Sequence, residues 1–178
     1  YKNNPLFIED YLSYPSSAKT LSDFGYNINV GNLLWSSLKK LMCPSDFEGR
    51  HVLLYSNNIT EGSVSLDVDL GKGKGQFIYP LSVETKDCVV LPRTLQPNKF
   101  RYALVRDNKQ YHFENHLLVV THESPWYLEK LSEYLSLPQG RNALRLFSNS
   151  VQLSVSELKS LPIIDFYLPK FHNRLFED

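Results

Sequence analysis

The feature that most constrains the fold is a change in hydrophobic spacing along the chain. From Phe24 to Val30, apolar side chains recur at every second position, which is typical of a strand with one buried face. Short β-rich segments separated by turn-forming residues fill the middle of the chain as far as Thr121. Beyond Ser124, leucines recur at helical spacing. The sequence therefore predicts an α+β fold, with a small mixed β-sheet core, hairpins and short peripheral helices.

Local signals place several of these elements. The two β-rich runs Phe100–Arg106 and Tyr111–Thr121 flank the turn-forming residues 107–109, which predicts a hairpin. Ser124 as N-cap and Pro125 in the first helical position predict a helix that buries three leucines. Four other elements are predicted from the sequence. They are a strand at 24–30, a short amphipathic helix at 33–41, a strand at 51–56 and a capping box of Ser154 and Glu157 whose helix ends before Pro162.

The length favours one domain, because 178 residues are close to the size of about 150 residues that is common for a single domain. We expect an N-terminal lead-in at residues 1–20, one domain at 21–164 and a C-terminal tail at 165–178. The chain opens with Tyr1 rather than Met, so we expect a piece of a longer protein.

Overall charge excludes a polybasic nucleic-acid binder, since 19 Lys and Arg balance 19 Asp and Glu. Locally, however, residues 86–110 contain six basic side chains against two acidic ones. A basic segment interleaved with Asn, Gln, Ser and Thr modestly favours nucleic acid, because amides and hydroxyls can bond base edges. Arg141, Arg145 and Lys159 add further positive charge toward the end of the chain.

The two cysteines, Cys43 and Cys88, are too few for a disulfide framework, which favours a reducing, cytoplasmic setting. No apolar run approaches the roughly 18 to 20 residues that span a bilayer, so no membrane partner is expected.

Three patterns suggest chemistry and remain alternatives. The glycine and lysine tract at 71–75 lacks the spacing of a nucleotide-binding P-loop, which favours a solvated hairpin loop. His112, Glu114 and His116 would share one face of a strand and could hold zinc, although no further ligand is implied. An acidic residue followed by Glu, any residue and Lys is typical of two-metal nucleases, and Asp69, Glu84 and Lys86 loosely satisfy it.

Four segments, in order, resemble the C-terminal target-recognition region of the TaqI-like and Eco57I-like adenine-specific DNA methyltransferases. The first, Val30 to Trp35, is similar to the Gly, any, aliphatic, aliphatic, Trp opening of that region, with Ser36 in place of Asn. The second, Val52 to Ile59, resembles its next strand.

The third segment, Cys88 to Thr94, is similar to a strand ending in Arg and Thr, and Glu114 to Leu117 matches the Glu-Asn-His-Leu run that follows in the family. The fourth, Arg145 to Pro162, resembles the Ser-Gly-any-Thr-Gln-Val and Glu-Leu ending. Here Asn149 and Val151 replace the usual Gly and Thr.

The resemblance covers roughly residues 20 to 164 and implies a target-recognition domain. It implies that double-stranded DNA is the ligand and that a methyltransferase catalytic domain of the same parent chain is the partner. S-adenosylmethionine is expected in that catalytic domain and not in this chain, which has no Asn-Pro-Pro-aromatic motif and no Gly-rich cofactor loop. This chain itself is then not catalytic. The DNA-binding residues that the resemblance and the charges suggest are Arg93, Thr94, Lys99, Arg101, Asn115, His116, Ser148, Asn149, Ser150 and Gln152.

Two other functions stay open at this point. A recognition unit of a Type I restriction specificity subunit would require a second such domain and long spacer helices in the parent protein. A metal-dependent nuclease would use the Asp69, Glu84 and Lys86 set.

Overall fold

The structure is a computed structural model, and it describes residues 18–71, 73–82, 86–96, 99–106, 110–147 and 152–163. Within these ranges, eight strands form two sheets. The strands are β1 (Asn27–Val30), β2 (His51–Leu54), β3 (Glu61–Gly62), β4 (Phe77–Ile78), β5 (Cys88–Pro92), β6 (Tyr102–Val105), β7 (Tyr111–Phe113) and β8 (Leu117–Thr121).

The larger sheet has five strands in the order β1-β8-β5-β6-β3, and the smaller sheet has three in the order β4-β2-β7, counted over the described ranges. Both sheets are mixed. β3 runs parallel to β6 and β7 runs parallel to β2, whereas the other neighbours are antiparallel. The predicted α+β fold with a small mixed sheet core is confirmed.

Four α-helices lie in the described residues, and all are short. They are α1 (Trp35–Leu38), α2 (Pro125–Ser136), α3 (Pro138–Phe147) and α4 (Val155–Lys159), with 3-10 turns at Lys39–Leu41 and Ser56–Asn58. None of them is long and apolar enough to cross a membrane.

Both faces of the larger sheet are covered, which explains the uninterrupted apolar sequence of β5. Val89 and Leu91 face a core shared with helices α2, α3 and α4. Cys88 and Val90 face the opposite way, into a core shared with the smaller sheet. Because neither face meets water, the strand has no polar alternation. The larger sheet is therefore the middle layer of the domain.

Several local predictions are confirmed. β1 buries Ile28 and packs Val30 against the helical core, as the alternation predicted, but it begins at Asn27 rather than Phe24 because residues 21–25 form a turn. α2 begins at Pro125 and buries its leucine stripe. Its N-cap is Ser124, as predicted, but in the described residues the hydroxyl of Ser124 caps no backbone amide. α4 opens with the predicted capping box and ends before Pro162.

The predicted hairpin across residues 107–109 is wrong. β6 pairs with β5 in the larger sheet, whereas β7 pairs with β2 in the smaller one. The reason is burial: β6 carries apolar residues on both faces, and these residues are buried when β6 lies between β5 and the short β3. Turn residues specify a reversal of the chain but not the strand that follows as a partner. The hairpin that does form joins β5 to β6.

The predicted Tyr111–Thr121 run is also divided. A turn at Glu114–His116 separates β7 from β8 and sends them into different sheets. This turn lies at the candidate site.

Candidate nucleic-acid interface

One end of the larger sheet collects segments that are far apart in the sequence. β1 and β5 both finish there, opposite the start of β8, because Val30 pairs with Leu118 and Pro92 pairs with Leu117. The β5–β6 connection lies at the same end, since these strands are antiparallel neighbours. We call this end of the sheet the Arg93 end. It comprises residues 31–33, 92–96, 99–101, 114–117, 145 and 152–153.

Gly31 lets the segment after β1 lie directly on the Glu114–His116 turn. A Cβ atom on Gly31 would stand 2.3 Å from the carbonyl oxygen of Glu114 and 2.6 Å from that of Phe113. The contact continues through the backbone, because the amide of Asn115 donates to the carbonyl of Leu33 at 3.0 Å. Only a residue without a side chain fits between these carbonyl groups.

Three neighbouring segments hold the turn itself. The amide of Glu114 donates to the carbonyl of Leu54 at the end of β2, at 3.0 Å. The amide of Arg93 donates to the carbonyl of His116 at 2.8 Å. The Gly31 segment closes the third side. The turn is therefore a junction of the first three segments that resemble the methyltransferase family.

The carboxylate of Glu114 is buried and faces the exposed ring of His116. The carboxylate oxygens lie 2.7 and 2.9 Å from Nδ1 of His116, and one of them also accepts the backbone amide of His116 at 3.0 Å. The side chain of Glu114 is 5% exposed and that of His116 is 59% exposed. Burial, with the charge of Glu114 as a further cause, raises the pKa of Tyr55 to about 12.

The fourth segment joins the same end through Arg93 and Thr94. The amide of Leu153 donates to the carbonyl of Arg93 at 2.6 Å, and Thr94 forms an antiparallel bridge with Gln152. Thr94 and Gln152 are both exposed. In the described residues, Nε of Arg93 is buried without a hydrogen-bond partner. Residues Ser148, Asn149 and Ser150 lie outside the described residues.

The β5–β6 connection lines a small depression. Its wall includes Thr94, Lys99, Arg101 and Arg145. Lys99 is exposed, and its backbone bridges that of Gln96.

Arg101 is placed differently from the exposed cations Lys99 and Arg145. It is partly buried, and a guanidinium nitrogen donates to the carbonyl of Ser56 at 2.8 Å. Burial lowers the pKa of Arg101, which nevertheless remains charged at neutral pH. Arg101 thus links the segment before β6 to the turn after β2, and its predicted DNA contact stays a prediction.

The basic segment 86–110 does not form one face, contrary to the sequence interpretation. Lys86 precedes β5 at the opposite end of the sheet, and Arg106 follows β6 at that same opposite end. Arg106 lies 3.0 Å from the carboxylate of Asp87 and 2.5 Å from that of Glu129, which neutralise it. The positive charge at the Arg93 end comes from Arg93, Lys99, Arg101 and Arg145.

The proposed zinc ligands are not brought together. His112 is buried beside His51, with Nε2 of the former 2.7 Å from Nδ1 of the latter. Glu114 and His116 belong to the turn that follows β7 rather than to one straight strand. In the described ranges, no group of three His, Cys, Asp or Glu side chains could hold a metal ion.

The described residues give no support to the nuclease alternative either. The carboxylate of Asp69 accepts the backbone amide of Gly71 at 2.8 Å, which is a local turn contact. Glu84 lies outside the described residues. In the neighbouring glycine tract, Lys74 places its ammonium 4.9 Å from the ring centre of Tyr55, and the described glycines of the tract at 71 and 73 are exposed.

Sequence reasoning missed two features of the Arg93 end. It did not find Gln96, which lines the depression, or the role of Glu114 as the partner of His116. Spacing alone could have suggested the second, because residues i and i+2 across a tight turn can bond each other. No sequence pattern around Gln96 predicts its position, because that position depends on how β5 pairs within the whole sheet.

Comparisons with known proteins add little to this geometry. Neither a family model nor a curated protein sequence matches the chain. Among solved structures, the chain is similar to a crystal structure of the Type-I restriction-modification system S subunit from M. genitalium, with 14% identity and a TM-score of 0.47. The match covers 89% of this chain and 37% of the S subunit. The chain thus spans little more than a third of that subunit, and a likeness this distant identifies neither a family nor an activity.

Proposed function

We propose that this chain is the sequence-specific DNA-recognition domain of an adenine-specific DNA methyltransferase of a restriction-modification system. One observation carries the proposal: the four segments that resemble that family, spread from Val30 to Pro162, meet at the Arg93 end. Backbone hydrogen bonds link Gly31 to Leu117, Glu114 to Leu54, Arg93 to His116 and Leu153 to Arg93. Motifs that matched by chance would have no reason to share one end of a sheet.

The side chains at this end suit duplex DNA. Lys99 and Arg145 are exposed cations, and cations of this kind contact phosphates on any sequence. Gln152 and Thr94 are exposed hydrogen-bonding groups, which can bond the edges of bases. The combination supplies both the charge that holds a duplex and the polar groups that distinguish one sequence from another.

The proposal assigns chemistry to a separate domain of the parent chain. That domain binds S-adenosylmethionine and accepts an adenine swung out of the duplex, while the present domain positions the DNA. The proposal assumes the cytoplasmic setting that the two cysteines, Cys43 and Cys88, favour in the sequence. Calorimetry with S-adenosylmethionine is expected to show no binding to this chain, and micromolar binding would contradict this division of labour.

The test is selection of a preferred sequence from a library of randomised DNA duplexes, using the whole 178-residue chain. We expect the wild type to enrich one short sequence that contains an adenine. Lys99→Ala should weaken binding to the enriched duplex several-fold. Lys86→Ala is the matched control, because this exposed lysine belongs to the same basic segment but lies at the other end of β5.

Two results would contradict the proposal. The first is a library that remains random after repeated selection. The second is equal weakening by the Lys99 and Lys86 substitutions, which would show a diffuse attraction rather than a site. Cleavage of plasmid by the chain with magnesium would support the nuclease alternative instead.

The recognition unit of a Type I specificity subunit would also enrich a sequence. The two functions differ in the parent protein. An Asn-Pro-Pro-aromatic motif upstream of Tyr1 supports the methyltransferase, whereas a second recognition domain joined by long helices supports the specificity subunit.

A further inference from the structure

We infer that Glu114 is a positioning residue, which fixes the ring of His116 so that its Nε2 edge contacts DNA. This inference rests on the proposed function and deepens it, because it identifies the pair of side chains that presents one hydrogen-bonding group at the Arg93 end. The ligand chemistry is a hydrogen-bonding group of duplex DNA, either on a base edge or on a phosphate.

The bond to Glu114 fixes the orientation of the His116 ring. An ionised carboxylate only accepts hydrogen bonds, so the nitrogen 2.7 Å away, Nδ1 of His116, must carry a proton. The same carboxylate holds the backbone amide of His116 at 3.0 Å. Ring and backbone are therefore fixed by one side chain. The remaining ring nitrogen, Nε2, makes no bond to Glu114 and belongs to a side chain that is 59% exposed.

Burial of the Glu114 carboxylate is unfavourable by itself. A carboxylate that is 5% exposed has lost most of its hydration, which is unfavourable unless a partner compensates. A turn of this kind can be closed by a neutral Asn or Ser side chain without that cost. Among the described residues, the hydrogen bonds of the Glu114 carboxylate all go to His116. Its main effect is thus to hold one exposed ring still.

The surroundings of His116 are ordered as well. The turn is held by backbone bonds from Asn115 to Leu33, from Glu114 to Leu54 and from Arg93 to His116. A side chain that is already ordered loses little conformational entropy on binding, which is how a preorganised group gains affinity. An exposed histidine with a fixed ring beside Arg93 and Thr94 is placed to contact the same duplex that these residues would bind.

The experiment compares the wild type and four variants on two fluorescent duplexes, the sequence enriched by the wild type and a scrambled duplex of the same composition. His116→Asn keeps an amide near the position of Nδ1, so it preserves the bond to Glu114 while it removes the Nε2 edge. Glu114→Gln keeps the shape of the side chain and removes its charge. The double variant tests whether the two act together, and Glu123→Gln, an exposed site beyond the far end of β8, is the control for loss of one negative charge.

We expect His116→Asn to bind the enriched duplex about tenfold more weakly, which is the usual size of one lost specific contact. Glu114→Gln should also weaken binding, although removing a negative charge would by itself strengthen attraction to DNA, as Glu123→Gln should show. The double variant should be no weaker than His116→Asn. Nitrogen-15 spectra should show the ring of His116 protonated at Nδ1 in the wild type and less so in Glu114→Gln.

The two duplexes separate the sources of the contact. A loss confined to the enriched duplex assigns a base edge to His116. An equal loss on both duplexes, with a salt dependence reduced by about one contact, assigns a phosphate.

Other outcomes overturn the inference. If His116→Asn binds as tightly as the wild type, His116 makes no contact. If Glu114→Gln binds like the wild type while His116→Asn is weak, Glu114 does not position the ring. If Glu114→Gln fails to fold, His116→Asn and the wild-type spectrum still decide the matter. Failure of the proposed function is a different result, since the wild type would then enrich no sequence at all.

Discussion

Gly31 determines how closely two distant parts of the chain approach each other. A Cβ at this position would overlap the carbonyl oxygen of Glu114 at 2.3 Å, and a backbone group cannot move aside as a side chain can. We expect Gly31→Ala to lower the free energy of unfolding by about 1 to 3 kcal/mol, the usual cost of forcing extra volume into a packed site. Chemical denaturation of the chain measures this change.

Gly75 provides the matched control. A Cβ there would meet Sδ of Met42 at 2.6 Å, but that atom is the flexible end of a side chain and can shift. Gly75→Ala should therefore cost less than about 1 kcal/mol. Equal losses for the two variants would show that close approach to the Glu114 carbonyl is not what requires glycine at 31.

The buried pair of His51 and His112 makes the fold sensitive to acid. Burial, and secondarily the charge of His51, lowers the pKa of His112 from 6.5 to about 4. Burial also lowers the pKa of His51. The unfolded chain therefore binds more protons than the folded chain between these two pH values, so the free energy of unfolding falls as pH falls through this window.

We expect a loss of up to about 3 kcal/mol from His112 between pH 6.5 and 4. Denaturant unfolding at several pH values measures it. His112→Phe should flatten the pH dependence in this window, because a ring of similar size remains buried and nothing at that position titrates. A pH profile that is unchanged in His112→Phe would assign the acid sensitivity to other groups.

At the scale of elements, the capping box of α4 is a local device that sequence alone specified. The Ser154 hydroxyl accepts the Glu157 amide at 3.2 Å, and the Glu157 carboxylate accepts the Ser154 amide at 2.8 Å. Ser154→Ala should cost about 1 kcal/mol, because a helix amide then loses its partner. The measurement is thermal or denaturant unfolding.

Ser160→Ala, at the exposed opposite end of the same helix, is the comparison and should be nearly neutral. If the two substitutions cost the same, the capping box does not stabilise α4.

Elements fixed by neighbouring residues were predicted, and elements fixed by distant partners were not. The alternation of β1, the leucine stripe of α2 and the cap of α4 are all contained within a few residues. The strand that pairs with β6 is chosen by burial across the whole sheet, which no local pattern encodes.

Helix α3 was missed for a related reason. Pro138 and Gly140 resemble a turn in the sequence, but Gly140 is required because a Cβ would meet the carbonyl of Tyr134 at 2.1 Å. The glycine therefore serves the close contact between α2 and α3 rather than a chain reversal.

At the scale of the whole molecule, topology redistributes the charge that the sequence places in one segment. β5 carries Lys86 and Arg93 to opposite ends of the larger sheet, and β6 returns Arg106 to the end where Asp87 and Glu129 neutralise it. The candidate residues Arg93, Lys99 and Arg101 do share one end, as expected for a single surface, although their order in the sequence could not show this. Strand direction decides which charges act together.

The last prediction follows from this smaller set of cations. With few exposed positive side chains at the Arg93 end, binding to DNA should weaken with salt by a modest slope, roughly 0.9 for each phosphate contacted. Lys99→Ala should lower affinity for the enriched and the scrambled duplex alike and reduce the slope by about one. Gln152→Ala should instead cost roughly 1 to 3 kcal/mol on the enriched duplex and little on the scrambled one, because an amide bonds a base edge only in the correct sequence.

The measurement is a competition titration of both duplexes at about 50 and 200 mM salt. Arg106→Ala is the control for charge, since its guanidinium lies between two carboxylates at the other end of the sheet and should leave the slope unchanged. If Gln152→Ala weakens both duplexes equally, the bridge between Thr94 and Gln152 supports the surface without recognising sequence. If Lys99→Ala and Arg106→Ala reduce the slope equally, the domain attracts DNA over its whole surface, and the Arg93 end is not a distinct interface.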